Sequence, residues 1–147
     1  MPTVNDTFLQ DSPIRSEQVS EIIKGATQGD IGAHSIFLGQ VRSDLVNKQS
    51  VTIIEYSAYD EMVNNEMKKI ISQVSAKYDD LKRVYIMHSK GAVKAGEISL
   101  FVFVGCGHRI QSFEAVADLV NLIKQRIPIW KKEYLDDDTY IWTENEN

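Results

Sequence analysis

The chain has little of what most recognisable chemistries require. A single cysteine, Cys106, excludes an internal disulfide. The three histidines, His34, His88 and His108, fall on three separate segments, so no metal-ligand spacing arises and no metal is expected. No glycine-rich phosphate loop of the nucleotide-binding kinds is present, and no bound cofactor is expected. No apolar run approaches the length of a membrane span. A net charge of −5 argues against a general nucleic-acid or anionic-membrane surface, so any anion site must be local. Residues 1–6 carry neither a basic segment nor an apolar leader core, and a cytoplasmic location is expected.

What is present suits one globular domain spanning 1–147. Hydrophobic residues make up 43%, enough for a core without metals or disulfides. Phe8 to Ile14 reads as a short strand interrupted by Pro13. Ser16 is a fitting cap for a helix carrying Val19, Ile22, Ile23 and Ala26, expected to end near Gly29 and Asp30. Strands follow at Ile31 to Val41 and, after a polar connection over Ser43 to Ser50, at Val51 to Tyr59. Asp60 caps a helix whose apolar face is Val63, Met67, Ile70, Ile71, Val74 and Tyr78. Arg83 to His88 is a third strand, a connection runs from Gly91 to Gly96, and Glu97 to Val104 is the most strand-like run of all. A further helix begins near Gln111 or Ser112. Thr139 to Thr143 is a last strand, and Glu144 to Asn147 a polar tail. The order of elements indicates an α+β domain with about three helices and a mixed, largely antiparallel sheet.

One stretch stands apart. Lys124 to Glu133 (KQRIPIWKKE) packs four cations, a proline and a tryptophan into ten residues of an acidic protein. In the helix before it, Phe113, Val116, Ala117, Val120, Ile123 and Ile127 share an arc of roughly 120°, and Lys124 lies inside that arc. A lysine there must snorkel out or face a polar cavity, because an unpaired buried ammonium is costly. Pro128 ends the helix within a turn of Lys124. The extended segment after it places Ile129, Lys131 and Glu133 on one side and Trp130, Lys132 and Tyr134 on the other. Lys124 and Lys131 can thus converge on one pocket. The alternative is a solvated cationic helix end that meets the macrodipole.

Other candidates are weaker. His108 and Arg109 stand where a strand turns into a helix, a place that receives a phosphate or carboxylate; the alternative is a capping turn with His108 on the surface. Arg42 closes the first long strand. Cys106, near His108 at a helix start, suits a nucleophile or persulfide carrier, or else a small buried hydrophobe. Trp130 and Trp142 read as core residues rather than a ligand stack.

Several clusters together resemble a known family. FLGQVR at 37–42, EYSAY at 55–59, GHR at 107–109, FEA at 113–115 and above all PIWKKE at 128–133 preceded by Lys124 are similar to the large, catalytic subunit of molybdopterin synthase. The likeness runs from about Gly32 to Trp142. It implies an α/β hammerhead-like fold and a sulfurtransferase that converts cyclic pyranopterin monophosphate into the dithiolene molybdopterin. Both sulfurs would come from the thiocarboxylated C-terminal glycine of a small ubiquitin-like subunit. It further implies a dimer of large subunits at the centre of a heterotetramer. By the resemblance, Lys124 and Lys131 are the catalytic lysines, with Lys124 nearest the partner's terminal glycine and Lys131 nearer the pterin. Arg42, His108 and Arg109 hold the substrate phosphate, the last two from the second copy, and Lys132 and Arg126 contribute less.

The chain departs from the family pattern in three places. His88-Ser-Lys-Gly91 lacks the arginine usual after the third strand, leaving Lys90 as its candidate replacement. The loop from Ser43 to Gln49 lacks the usual asparagine and glycine, and Asp136 to Asp138 replaces the usual Asp-Gly turn. A competing function is a non-catalytic module that binds a phosphorylated ligand or a partner's C-terminal tail through Arg42, His108 and Arg109.

Overall fold

The computed structural model describes residues 1–144. Two short strands, Thr3–Val4 (β1) and Leu9–Gln10 (β2), precede the helix Ser16–Gly25 (α1). Then come Ala33–Gln40 (β3), Leu45–Val46 (β4), Gln49–Ala58 (β5), the helix Asp60–Lys77 (α2), Leu81–Ser89 (β6), Gly91–Lys94 (β7) and Ile98–Cys106 (β8). The helix Arg109–Arg126 (α3), Ile129–Leu135 (β9) and Tyr140–Glu144 (β10) complete the order. The expected tail beyond Glu144 lies outside the described residues.

The strands form two sheets. In the first the order is β1-β6-β8-β3, with β2 also on β6; β1 and β2 run parallel to β6, and the β6–β8 and β8–β3 pairs are antiparallel. The second has the order β10-β9-β5-β4, with β7 also on β5, and is antiparallel throughout. β8 is central and buried from Ser99 to Cys106, which explains its unbroken apolar run. Val84, Ile86, Leu100, Val102 and Val104 form the main core with α2, α3 and the inner face of the second sheet. On the opposite face Met87, Phe101 and Phe103 meet Ile14, Ala26 and the half-buried Val19 and Ile22 of α1.

Several boundaries differ from the sequence-based expectation. α1 stops at Gly25, short of Gly29, and its start is closed by the Gln18 side chain accepting the Arg15 N–H at 2.9 Å, with Ser16 already helical. Asp60 likewise opens α2 from inside, where a carboxylate meets the helix dipole. The connection at 43–50 holds the hairpin β4–β5, turned through Asn47 and Lys48, both at positive φ. The segment after Gly91 is a strand, β7, paired with β5 from Ile53 to Tyr56. The apolar face of α2 is as expected: Val63, Met67, Ile70, Ile71 and Val74 are buried, and Tyr78 beyond its end as well.

The largest correction concerns α3. Its buried residues are Ser112, Ala115, Leu119 and Ile123, whereas Phe113 is 58% exposed and Ala117 is exposed. The stripe is rotated because a polar residue sits on it: the Ser112 hydroxyl donates to the Arg109 carbonyl at 2.8 Å and lies 2.8 Å from the Ser35 hydroxyl of β3. A hydroxyl with partners is cheap to bury, and small side chains at 112 and 115 let the helix lie close to the sheet. Among the described residues no helix is long and apolar enough to cross a membrane.

Candidate functional site

The end of α3 positions the lysines. Ile127 leaves the helix with φ −74° and ψ 124°, its N–H still bonded to the Ile123 carbonyl at 3.1 Å, and Pro128 prevents continuation. β9 then alternates as expected. Ile129 and Leu135 are buried on its inner face, which also carries Lys131 and Glu133; Trp130, Lys132 and Tyr134 take the other face. In the ladder with β5, Lys131 stands opposite Tyr56 and Glu133 opposite Ile54.

Lys124 lies on the flank of α3 beside Val120, away from the centre of the rotated stripe, yet it is half-buried. Burial, and then the charge of Lys131, lower the pKa of its ammonium. The structure therefore brings the two lysines within electrostatic reach of each other. Neither has an ion-pair partner among the described residues.

Within range of their charges is a buried polar cluster, none of whose residues is among the expected site residues. His88, at the end of β6, is 2% exposed. Its Nδ1 donates to the Ser89 carbonyl at 2.7 Å, and its ring meets the edge of Tyr56 at 4.9 Å between centroids. The Tyr56 hydroxyl in turn donates to Ser99 Oγ at 3.1 Å, and burial raises its pKa. Burial pushes the His88 imidazole down to about 4, and the charges of Lys124 and Lys131 push in the same direction. The signal was the strand period: His88 shares a face with Val84 and Ile86, and so points into the space between the sheets.

Arg42 follows β3 at the same end of the first sheet, where Gln40 pairs with Ile98 and His88 with Leu100. It is exposed and bonded to Asp44 at 3.3 Å. His108 and Arg109 are elsewhere. His108 is the N-cap of α3, whose first residue, Arg109, comes two to three residues before the expected helix start, and fifteen residues of helix separate Arg109 from Lys124, about 22 Å. Within one chain they do not reach the lysines. Asp80 accepts the His108 N–H at 2.7 Å and lies 3.2 Å from its Nδ1.

Three further cations near this region are engaged. The Lys132 ammonium sits 5.1, 4.0 and 5.6 Å from the ring centroids of Tyr134, Tyr140 and Trp142, on the face of β9 away from Lys131. Arg126 donates to Glu66 at 2.6 Å and to Gln73 at 2.8 Å, tying α3 to α2. Lys90 is paired with Asp60 at 2.6 Å rather than directed at the lysines. Trp130 and Trp142, expected in the core, are 36% and 57% exposed because both lie on outer faces of the second sheet. Cys106 is fully buried, and burial pushes its thiol up to about 11, so the thiolate that a nucleophile or persulfide carrier needs is disfavoured.

The chain is similar to known proteins over most of its length. A family model described as MoaE protein matches residues 9–126. The molybdopterin synthase catalytic subunit of Taeniopygia guttata is 37% identical over 134 residues, covering 90% of this chain and 85% of that protein. A Drosophila willistoni protein of the same name is 42% identical over 115 residues; the match takes in 78% of this chain but only 31% of that longer protein. Among solved structures, molybdopterin synthase from Staphylococcus aureus superposes with a TM-score of 0.83 at 26% identity, covering 95% of this chain and 97% of the other. A complex of subunits 1 and 2 of molybdopterin-converting factor from Helicobacter pylori 26695 shares the fold, with a TM-score of 0.77 at 18% identity over 92% and 88% of the two chains.

Proposed function

The chain belongs to the MoaE protein family, and from that premise we propose that it is the catalytic subunit of a cytoplasmic molybdopterin synthase. In this reading it is a sulfurtransferase: sulfur passes from the thiocarboxylated C-terminus of a small ubiquitin-like subunit to cyclic pyranopterin monophosphate, yielding the dithiolene. The observation that carries the reading is that Lys124 and Lys131, both half-buried, lie within range of each other's charge and have no ion-pair partner among the described residues. Two cations left uncompensated are suited to a site that must receive a negatively charged group.

Lys124 faces the partner's terminal glycine and Lys131 the reacting side chain of the pterin. An ammonium beside the thiocarboxylate stabilises negative charge during acyl and sulfur transfer, and the lowered pKa of Lys124 brings it nearer to acid–base use. Arg42 contributes to the pocket for the substrate phosphate. His108 and Arg109 join that pocket from a second copy of the chain, an arrangement supported by their distance from the lysines of their own chain. The same region exposes Ile110 and Phe113 of α3, and β3 is an edge strand exposing Ile36 and Leu38. A dimer placed there would stand at the centre of a heterotetramer with two small subunits.

The test is a single-turnover assay with the purified protein, a thiocarboxylated ubiquitin-like partner and cyclic pyranopterin monophosphate, following the oxidised fluorescent derivative of the dithiolene. Lys131→Ala is expected to retain partner binding and to reduce product by at least about a hundredfold. Product unchanged by that substitution would remove Lys131 from the chemistry, and no product from the wild-type chain despite partner binding would replace the sulfur-transfer reading with a binding module.

A further inference from the structure

We propose that Asp80 is a positioning residue for His108: its carboxylate holds both the backbone N–H and the ring Nδ1 of that residue, leaving Nε2 to meet the substrate phosphate at the second copy's site. Asp80 lies in the turn between α2 and β6. The inference rests on the reading above in which His108 reaches across to that phosphate.

Two contacts fix the imidazole. One oxygen, Asp80 Oδ2, accepts the His108 N–H at 2.7 Å and lies 3.2 Å from the ring Nδ1. An ionised carboxylate can only accept, so Nδ1 carries a proton there, and Nε2 stands on the side of the ring away from Asp80. Asp80 has little freedom of its own. Its N–H donates to Gln111 Oε1 at 3.0 Å, its carbonyl accepts the Gly107 N–H at 3.2 Å, and its side chain is only 19% exposed. Gly107 makes room for the carboxylate, because a Cβ at that position would overlap it.

Closing the start of α3 requires only the first of these contacts. The His108 side chain is 89% exposed, so water would satisfy Nδ1, and holding an exposed ring in one orientation costs conformational entropy. That cost is useful where the ring must meet a ligand in a single pose. With a phosphate oxygen against Nε2, the ring carries a proton on each nitrogen. One is donated to the ligand and the other to Asp80, whose negative charge balances the imidazolium. Burial acts to raise the Asp80 pKa, but the His108 bonds and the charges of His108 and Lys82 outweigh it, and the carboxyl stays ionised at neutral pH. Arg109, exposed at the next position, adds a second donor beside the held ring.

The test uses the purified full chain with isotopically labelled histidine, its ring tautomers read by long-range proton–nitrogen NMR at alkaline pH, where imidazoles are neutral. The His108 signal is assigned by its loss in His108→Gln. Wild type is expected to show the His108 proton on Nδ1. Asp80→Ala removes the acceptor and is expected to move that proton to Nε2, the form that a free imidazole prefers. Asp80→Asn, whose amide oxygen can still accept, is expected to keep it on Nδ1. Asp80→Leu, similar in shape but without an acceptor, replaces the alanine variant if that one does not fold. In the transfer assay the acceptor-free variant should raise KM for the pterin about tenfold with kcat within about threefold, and the asparagine variant should recover part of the loss. The same tautomer in wild type and the acceptor-free variant would overturn the proposal. So would an unchanged KM in that variant, or KM losses in the two variants that follow their melting temperatures alone. The NMR measurement requires neither partner nor pterin, so it decides whether Asp80 holds His108 even if the wild-type chain gives no product and the sulfur-transfer reading falls.

Discussion

The two ends of α3 carry cations under opposite conditions. At its N-terminal end His108 and Arg109 are exposed, and His108 is tied to Asp80, which also accepts its backbone N–H. At its C-terminal end Lys124 is half-buried, with a second lysine as its nearest charged influence. The first end follows ordinary helix-capping logic, in which an acceptor meets free N–H groups. The second opposes stability: burial and like charge both penalise the protonated lysine. Locally unfavourable electrostatics of that kind, with nothing structural to gain, are what a site for an anion looks like.

The contrast is broken most directly by removing a cation from each end. Lys124→Ala is expected to cut single-turnover product by a hundredfold or more, about 2.7 kcal/mol, through loss of charge stabilisation at the reacting group. Arg109→Ala should act mainly on KM for the pterin, by about tenfold, if it supplies a phosphate contact from the second copy. Equal effects on kcat from both substitutions would erase the distinction drawn here between reacting and binding ends.

Acid should distinguish the ends next. The folded pKa of His88, about 4, lies below its ordinary 6.5, so the unfolded chain binds more protons between those values. Stability therefore falls as the pH is lowered from 6.5 to about 4, by on the order of 3 kcal/mol from this group. Denaturant titrations of wild type and His88→Phe should show the slope in the first and its reduction in the second.

At the N-terminal end the weak point is steric. A Cβ at Gly107 would overlap Oδ1 of Asp80, whose other carboxylate oxygen accepts the His108 N–H at the start of α3. Gly107→Ala should cost about 1 to 3 kcal/mol, read as a lower melting temperature, with little effect on the pH dependence set at the other end. The smallest effect is expected from Lys132→Met, which removes an ammonium from its three rings. It should lower the melting temperature slightly and leave turnover within about twofold; a large loss of turnover would place Lys132 in the substrate pocket after all.

Much of the molecule was legible along the chain. The periodicity of α2 identified its buried face residue by residue, and β8 stood out as the most strand-like run of the chain. Pro128 located the end of α3, and the alternation after it separated Lys131 from Lys132. The misreadings share a cause. Ser112 looked polar and Phe113 apolar, so the α3 stripe was placed on Phe113; the Ser35 hydroxyl on a strand 77 residues away made the serine a buried residue. β7 looks like a connection along the chain because its pairing with β5 is nonlocal.

Local sequence determined where α3 ends, which faces of β9 point in and out, and that two lysines would emerge around a proline. Those properties depend on neighbours within a few residues, where backbone sterics and side-chain period act. The tertiary structure alone decided that Lys124 and Lys131 lie close enough to affect one another, that the buried His88 lies within range of their charges, and that His108 and Arg109 lie at the far end of α3. Burial and charge proximity are sums over residues distant in sequence, and no local pattern contains them.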